Sequence, residues 1–393
     1  MKILITTFTY WPTRDGCAEQ AAVLAEGMAR RGHAVTVATA FHPERKPNAP
    51  DANPRIEQFH ISGRSNWRIG IQGDKASYQD FLRNFSCDLM VFNNIDVWTT
   101  HLAFPLLKNI KARKVLATQG FCEHIWVPYP KFAWGLGQWV GGWPCVLRTP
   151  FLMRKFDHLV FVSERKGFDR FFDHWLAHAT GYRNHSVIPN GAYAHEFSGV
   201  LPDFRAEFGI GPGPLLLYVA NFSDRKNQVM AVRAFRRVQL KDATLVLVGS
   251  EFNDYSELTR KTDEEFRRTY PTGRVLMLEK LDRTRTCAAY RAADLFLLPA
   301  RAETLPVVLL EAMASHTPWI STDVGCVTEL PGGIVVRSED EMVEKIKMLM
   351  ADPALRRRLA EEGSEASRKT YDWERVVEAY ERLFQKLCGA GKG

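Results

Sequence analysis

One unit of pattern occurs twice. The first forty residues read as strand, loop, helix, strand: Ile3–Phe8, a loop holding Gly16, a helix with apolar positions Ala21, Leu24, Ala25, Met28 and Ala29 ended by Gly32, and a strand over Ala34–Ala40. About two hundred residues later the unit returns as strand Leu215–Ala220, loop Asn221–Lys226, a helix through Val229, Val232, Ala234 and Phe235, and strand Ala243–Val248. A parallel strand pair needs a crossover, and a helix is what fills it, so alternating strands and helices predict parallel sheets covered on both faces. At 393 residues the chain exceeds one ordinary core, and the two halves predict two doubly wound α/β domains.

Between the halves, Ser198 to Pro214 carries four Gly and three Pro, the breaker density of a linker. The expected division is an N-terminal domain over 1–197, a linker over 198–213, a C-terminal domain over 214–370, and a last helix over 371–393. That helix shows a one-sided stripe of Val376, Val377, Tyr380, Leu383, Phe384 and Leu387, which must be buried and is expected to cross back to the first domain. Ser338-x-x-Glu341 reads as a capping box, and Asp352-Pro353 as another helix start.

Composition excludes several classes. The chain is 46 % hydrophobic and 25 % charged, with no low-complexity tract. Its net charge of +7 agrees with small polyanionic substrates or an acidic membrane surface and does not call for nucleic acid. Seven cysteines form no C-x-x-C pair, which points to reduced thiols and away from a disulfide frame or a zinc site. No apolar run approaches the ~20 residues of a spanning helix, and the N-terminus reads as a strand, not a signal peptide. The expectation is a cytoplasmic protein, at most peripheral on the inner face of the plasma membrane.

The chemistry concentrates in Arg301–Ala314, where Glu303 and Glu311 stand eight positions apart. Ala293–Pro299 reads as a buried strand, and Pro306 suits the first helical turn. Glu303 then lies in the loop at the strand's carboxyl end and Glu311 on the helix. Open α/β sheets bind ligands in that crevice, and a helix N-terminus there favours an anion such as a diphosphate. One carboxylate is placed to accept from sugar hydroxyls and the other from a ribose diol. A structural role for Glu303 as a helix cap, or for Glu311 as an exposed helical acid, is the competing reading.

These residues resemble a family 4 (GT4) retaining glycosyltransferase of the GT-B fold, in which two Rossmann-like domains face each other across a cleft. Glu303–Glu311 with Ala312-Met313-Ala314 resembles the E-x7-E signature, and Thr322-Asp323-Val324-Gly325-Cys326-x-x-Glu329 resembles T-D-V-G-G-x-x-E. Ile188-Pro189-Asn190-Gly191, Tyr371-Asp372-Trp373 and Gly16-Cys17-Ala18-Glu19 resemble further motifs, in order along the chain. The resemblance implies that Glu303 holds donor-sugar hydroxyls and Glu311 the nucleotide ribose. It implies that the amides of Leu305, Val307 and Val308 meet the sugar and diphosphate, with Pro306 and Gly16 in the same binding set. Lys226 matches the lysine of G-R-L-x-x-x-K-G and would neutralise the leaving diphosphate. No metal or other cofactor is implied, since the diphosphate charge is met by cations and amides.

Four departures stand out. Asn221 replaces the loop's arginine, with Arg225 as a neighbouring substitute; Cys17 and Cys326 replace second glycines, adding a Cβ to phosphate-facing loops. Pro306 removes one amide donor. Gln119 stands where relatives carry a histidine facing the transferred sugar, with His124 as a stand-in.

Phe121 to Trp143 carries Trp126, Tyr129, Phe132, Trp134, Trp139 and Trp143 beside Lys131, a composition suited either to an anionic membrane interface or to a packed lid. The resulting expectation is a hexosyltransferase-type enzyme moving sugar from a UDP- or GDP-type nucleotide sugar to a glycan or lipid-linked glycan, in cell-surface polysaccharide or glycoconjugate synthesis. Leu276–Leu281 is the expected base-selecting stretch. The rival readings are a non-catalytic sugar-nucleotide-binding protein and a GT-B sugar-nucleotide epimerase.

Overall fold

The computed structural model describes residues 1–13, 15–49, 51–63, 70–120, 147–164 and 171–389. The chain forms two compact units, Met1–Asn190 with Glu374–Gly393, and Gly191–Trp373.

The first unit is built on a seven-stranded sheet. Its strands are β1 (Lys2–Thr6), β2 (Ala34–Ala40), β3 (Arg55–Phe59), β4 (Leu89–Asn93), β5 (Arg113–Ala117), β6 (His158–Phe161) and β7 (His185–Val187). They lie in the order β3-β2-β1-β4-β5-β6-β7, every neighbour parallel. Ile3, Leu4 and Ile5 in β1 are wholly buried, as a central strand covered on both faces requires. Helix α1 (Gly16–Arg30) returns the chain from β1 to β2; Asp15 caps it by accepting from the Ala18 amide at 2.8 Å.

The second unit repeats the plan with six strands, β8 (Leu215–Val219), β9 (Thr244–Gly249), β10 (Arg274–Glu279), β11 (Leu295–Leu298), β12 (Trp319–Thr322) and β13 (Gly333–Val336). Their order is β10-β9-β8-β11-β12-β13, again all parallel. Leu215, Leu216 and Leu217 show no exposed surface, and neither does any residue of β11; full burial of such a side chain contributes roughly 1.5–3 kcal/mol. The helices that matter for the site are α2 (Gln228–Val238), α3 (Arg283–Ala292) and α4 (Val307–Ala314). In each sheet the strand order reverses direction, beside β1 in one and β8 in the other. At such a switch point consecutive connections part to opposite faces and leave a crevice at the strands' carboxyl ends.

Helix α5 (Trp373–Gly389) belongs to the first unit from Glu374 onward. Its stripe of Val376, Val377, Tyr380 and Phe384 is buried. A Cβ on Gly27 of α1 would lie 2.6 Å from a Val377 methyl, so the glycine admits the close approach of the two helices. Arg31 and His33 both bond to Glu381 at the rim.

The division differs from the sequence-based one. The breaker-rich stretch Ser198–Pro214 is packed within the second unit and does not join the two. Phe204 is buried, and the Arg205 guanidinium donates to the carbonyls of Gly211 at 2.6 Å and Gly213 at 2.9 Å and to Asp294 at 3.2 Å. The hand-over falls at Asn190–Gly191 and the return at Trp373–Glu374. Just inside the second unit the two crossings are bonded, the Ala192 amide donating to Tyr371 O at 2.8 Å. The expected capping box is also altered: Ser338 accepts from the Glu341 amide at 3.1 Å, but the Glu341 carboxylate reaches one residue further, to the Arg337 amide at 2.7 Å.

Candidate functional site

In the second unit, the loops after β8 and β11 carry Lys226 and Glu303 and are tied to each other in three ways. Asn227, buried and left-handed at φ 55°, donates through Nδ2 to Pro299 O at 3.1 Å. The Arg301 amide donates to Arg225 O at 2.8 Å. Between these ties the Lys226 ammonium donates to Glu303 Oε1, with the two side chains 17 % and 9 % exposed. Tyr218 supports the lysine from below, its hydroxyl donating to Lys226 O at 2.6 Å. Glu303 thus acts as an ion-pair partner, not as a helix cap. Asn221 is exposed, and Arg225 is half-buried on the same loop as Lys226.

The Glu303 loop is held from its other side by Gly325 and Cys326. Gly325 has φ 49°, and a Cβ there would sit 2.0 Å from Thr304 O. The Cys326 amide and thiol both donate to that carbonyl, at 3.0 Å and 3.3 Å. Cys326 is buried, and its side chain braces the loop.

Pro306 is the residue before α4, in extended conformation at ψ 109°, and not a member of its first turn. Leu305 and Pro306 are buried, and the amides of Val307 and Val308 open the helix. A helix cannot satisfy its first amides internally, which leaves these two available to an anion.

Glu311, on α4, is 8 % exposed, not a solvated helical acid. Its partner is Arg283 at the first position of α3, which the sequence reading missed. Arg283 Nη1 donates to Glu311 Oε1, while Nη2 and Nε donate to Glu196 Oε2 at 2.5 Å and 3.0 Å. The guanidinium also lies 5.5 Å from the centre of the Phe197 ring. Burial works against its charge, but the Glu311 and Glu196 carboxylates outweigh that and hold its pKa well above the usual arginine value. Nothing local to Asp282-Arg283 signals this, because its partners lie 87 residues before and 28 residues after it.

The first unit presents a separate polar edge at the carboxyl ends of its strands. A Cβ on Gly16 would meet open space, so nothing in the packing excludes a close ligand there. Asn93 Nδ2 donates to Cys17 O at 3.3 Å, and Asn94 Nδ2 to Cys17 Sγ at 3.1 Å. Asn94 Oδ1 accepts from the Gln119 amide at 2.8 Å, and Gln119 Oε1 accepts from Asn190 Nδ2 at 2.8 Å. Along this line Asn93 Oδ1, Gln119 Nε2 and Asn190 Oδ1 are buried without a protein partner. Orphaned polar atoms cost about 1–3 kcal/mol each, so a hydroxyl or water is expected to meet them. Asn93, Asn94 and Asn190 join Gln119 only through the fold. His124 and the aromatic segment Phe121–Trp143 lie outside the described residues.

Among the described residues, no group of three or more His, Cys, Asp or Glu side chains is arranged to hold a metal ion. No described helix is long and apolar enough to cross a membrane. Leu276–Leu281 begins on the edge strand β10, where Glu279 accepts from the Phe252 amide at 2.7 Å.

Residues 213–352 match the family model described as glycosyl transferases group 1. Over 198 residues the chain is 29 % identical to the N-acetyl-alpha-D-glucosaminyl L-malate synthase of Bacillus anthracis, covering 48 % of this chain and 50 % of that protein. The chain spans about half the length of the curated relatives it matches first. Across 99 % of both chains its structure is similar to sucrose-phosphate synthase from Thermosynechococcus elongatus, with a TM-score of 0.80 at 19 % identity. It is also similar to Anabaena HepE in complex with UDP and glucose, with a TM-score of 0.73 at 14 % identity over 98 % of this chain and 100 % of that one. The architecture of two parallel-sheet, Rossmann-like units is therefore the GT-B fold.

Proposed function

We propose that this chain is a retaining GT4 glycosyltransferase that uses a UDP- or GDP-type nucleotide sugar and needs no metal. The observation that carries the reading is the Lys226–Glu303 ion pair, fixed by two braced loops at the switch point of the second sheet. The match of residues 213–352 to group 1 glycosyl transferases supports it, since that segment contains both residues.

In this reading Glu303 accepts from hydroxyls of the transferred sugar, and Glu311 from the ribose. The Val307 and Val308 amides and the Lys226 ammonium face the diphosphate. Charge grows on the diphosphate as the bond from the sugar's anomeric carbon to the phosphate oxygen breaks, and prepositioned cations and amides stabilise that change without reorganising. The acceptor hydroxyl forms its bond on the face the diphosphate leaves, and its proton passes to a diphosphate oxygen. No protein nucleophile enters. Gln119 supplies a neutral amide donor for a sugar hydroxyl at the strand ends of the first unit.

The acceptor is a glycan, free or lipid-borne, in cell-surface polysaccharide or glycoconjugate synthesis on the cytoplasmic side of the membrane. The tryptophans and Lys131 of Phe121–Trp143 supply chemistry suited to an anionic membrane surface. The test is release of UDP or GDP from a panel of their sugar conjugates, with glycan and lipid-linked acceptors, by wild type and Glu303→Gln. Release by wild type and its loss in the variant support the reading; folded wild type that turns over no donor contradicts it.

A further inference from the structure

We propose that Arg283 is a positioning residue for nucleotide recognition, aiming the Glu311 carboxylate at the ribose hydroxyls, with Glu196 holding Arg283 in turn. The proposal rests on the donor reading above and adds two residues that neither the motif nor the comparisons assign.

The geometry carries it. Glu311 is 8 % exposed on α4, and a carboxylate that buried needs a charged, hydrogen-bonded partner. Arg283 supplies one and engages a single oxygen, Oε1. An ionised carboxylate has about four acceptor positions, so capacity for two hydroxyls remains. The guanidinium is itself fixed: two of its N–H groups converge on Glu196 Oε2, and Phe197 lies beneath it. With that side of the planar fork anchored, Nη1 has one direction left, toward Glu311. Asp282 caps α3 by accepting from the Arg285 amide at 2.8 Å, which sets Arg283 at the helix's first turn.

The arrangement also settles a charge conflict. A ribose-binding carboxylate must sit one helical turn from amides meant for a diphosphate. Arg283 offsets one of the two negative charges of Glu311 and Glu196, so the acceptor stays in place while repelling the diphosphate less than an unpaired carboxylate would. A lysine cannot replace it, because one ammonium does not present the same planar fork to both carboxylates.

The experiment compares binding of uridine, guanosine and adenosine 5′-diphosphates with their 2′-deoxy counterparts, by calorimetry. The proteins are wild type, Glu311→Ala, Arg283→Gln, Arg283→Lys and Glu196→Gln, each checked for a wild-type circular dichroism spectrum. Wild type is expected to lose about tenfold in affinity on removal of the 2′-hydroxyl, the factor for a hydrogen bond to a charged group. Arg283→Gln and Glu311→Ala are expected to shrink that preference to about twofold or less. Arg283→Lys and Glu196→Gln should fall between, and either keeps the test usable if Arg283→Gln does not fold. A merely structural arginine would weaken ribo and deoxy ligands alike, leaving the tenfold ratio intact; that result, with Glu311→Ala still losing the ratio, overturns the positioning role alone. Tighter ribonucleotide binding by Arg283→Gln would show Arg283 to be a competitor and overturn it too. If wild type binds none of the three diphosphates, the donor reading falls and this proposal with it.

Discussion

The Lys226 ammonium is bonded to the Glu303 carboxylate across two loops that leave adjacent strands, β8 and β11, 77 residues apart in the chain. The loops are also joined by two bonds independent of the pair, from Asn227 Nδ2 to Pro299 O and from the Arg301 amide to Arg225 O. Lys226→Ala is therefore expected to keep the loops in register, to cost stability by leaving the largely buried Glu303 carboxylate unpaired, and to lower kcat/KM by about 10²–10³, the scale for loss of one prepositioned charge-stabilising group. Glu303→Gln should act chiefly through the sugar, weakening a full nucleotide sugar more than the bare nucleoside diphosphate. Steady-state kinetics and calorimetry check both; equal activity of Lys226→Ala and wild type contradicts the assignment.

Gly325 lets the Glu303 loop close against its neighbour. A Cβ built there lies 2.0 Å from Thr304 O and 2.6 Å from Glu303 O, both backbone atoms, and φ is 49°. Gly325→Ala is expected to cost on the order of 1–3 kcal/mol of stability and to displace Glu303. Chemical denaturation should show the loss, with a fall in donor affinity in protein that remains folded. Unchanged stability contradicts this packing.

Gln119 meets Asn190 through its Oε1 and keeps a buried Nε2 donor. Asn190→Ala should cost about 1 kcal/mol for the lost hydrogen bond. Gln119→His brings in a group that titrates near pH 6.5, so the variant's pH–rate profile is expected to gain an inflection in that region that wild type lacks. Superimposable profiles would remove Gln119 from the catalytic set.

Two histidines of the first unit favour the neutral form when folded. His101 is lowered to about 4 by burial and then by Arg148. His158 is lowered to about 4 by burial, then by His185 and Lys386. Unfolded, each titrates near 6.5. Between those values the unfolded chain binds protons that the native chain refuses, so stability rises with pH and is lost as pH falls from about 6.5 toward 4. Tm measured from pH 7 to pH 5 should decline, and His158→Gln should flatten part of the slope. An unaltered slope in the variant contradicts the cause assigned here.

The repeated strand–helix unit made both parallel sheets legible, because period and burial are local properties. The Glu303–Glu311 spacing was legible for the same reason: loop, helix start and helix face follow from fourteen consecutive residues, Arg301 to Ala314. Long-range partners were not. Arg283 reads as a helix-start residue until the fold sets it against Glu196 and Glu311, and Asn190 reads as a turn residue until it meets Gln119. Breaker composition suggested a linker at Ser198–Pro214, whereas the Arg205 side chain gathers those glycine carbonyls into a packed turn. In the sequence Cys326 only adds a Cβ beside the loop; that its thiol donates to Thr304 O appears only in the fold.

The donor site is tested most directly by a thermal-shift panel of UDP-, GDP- and ADP-sugars on wild type and Glu311→Ala. A ligand at a hundred times its Kd adds about 2.7 kcal/mol of stability, a readily measured rise in Tm. One base class, UDP or GDP, is expected to raise the Tm of wild type and to raise that of Glu311→Ala by about half as much or less, since a tenfold loss of affinity leaves about 1.4 kcal/mol. No shift of folded wild type with any donor, or equal shifts in both proteins, would contradict the site assignment.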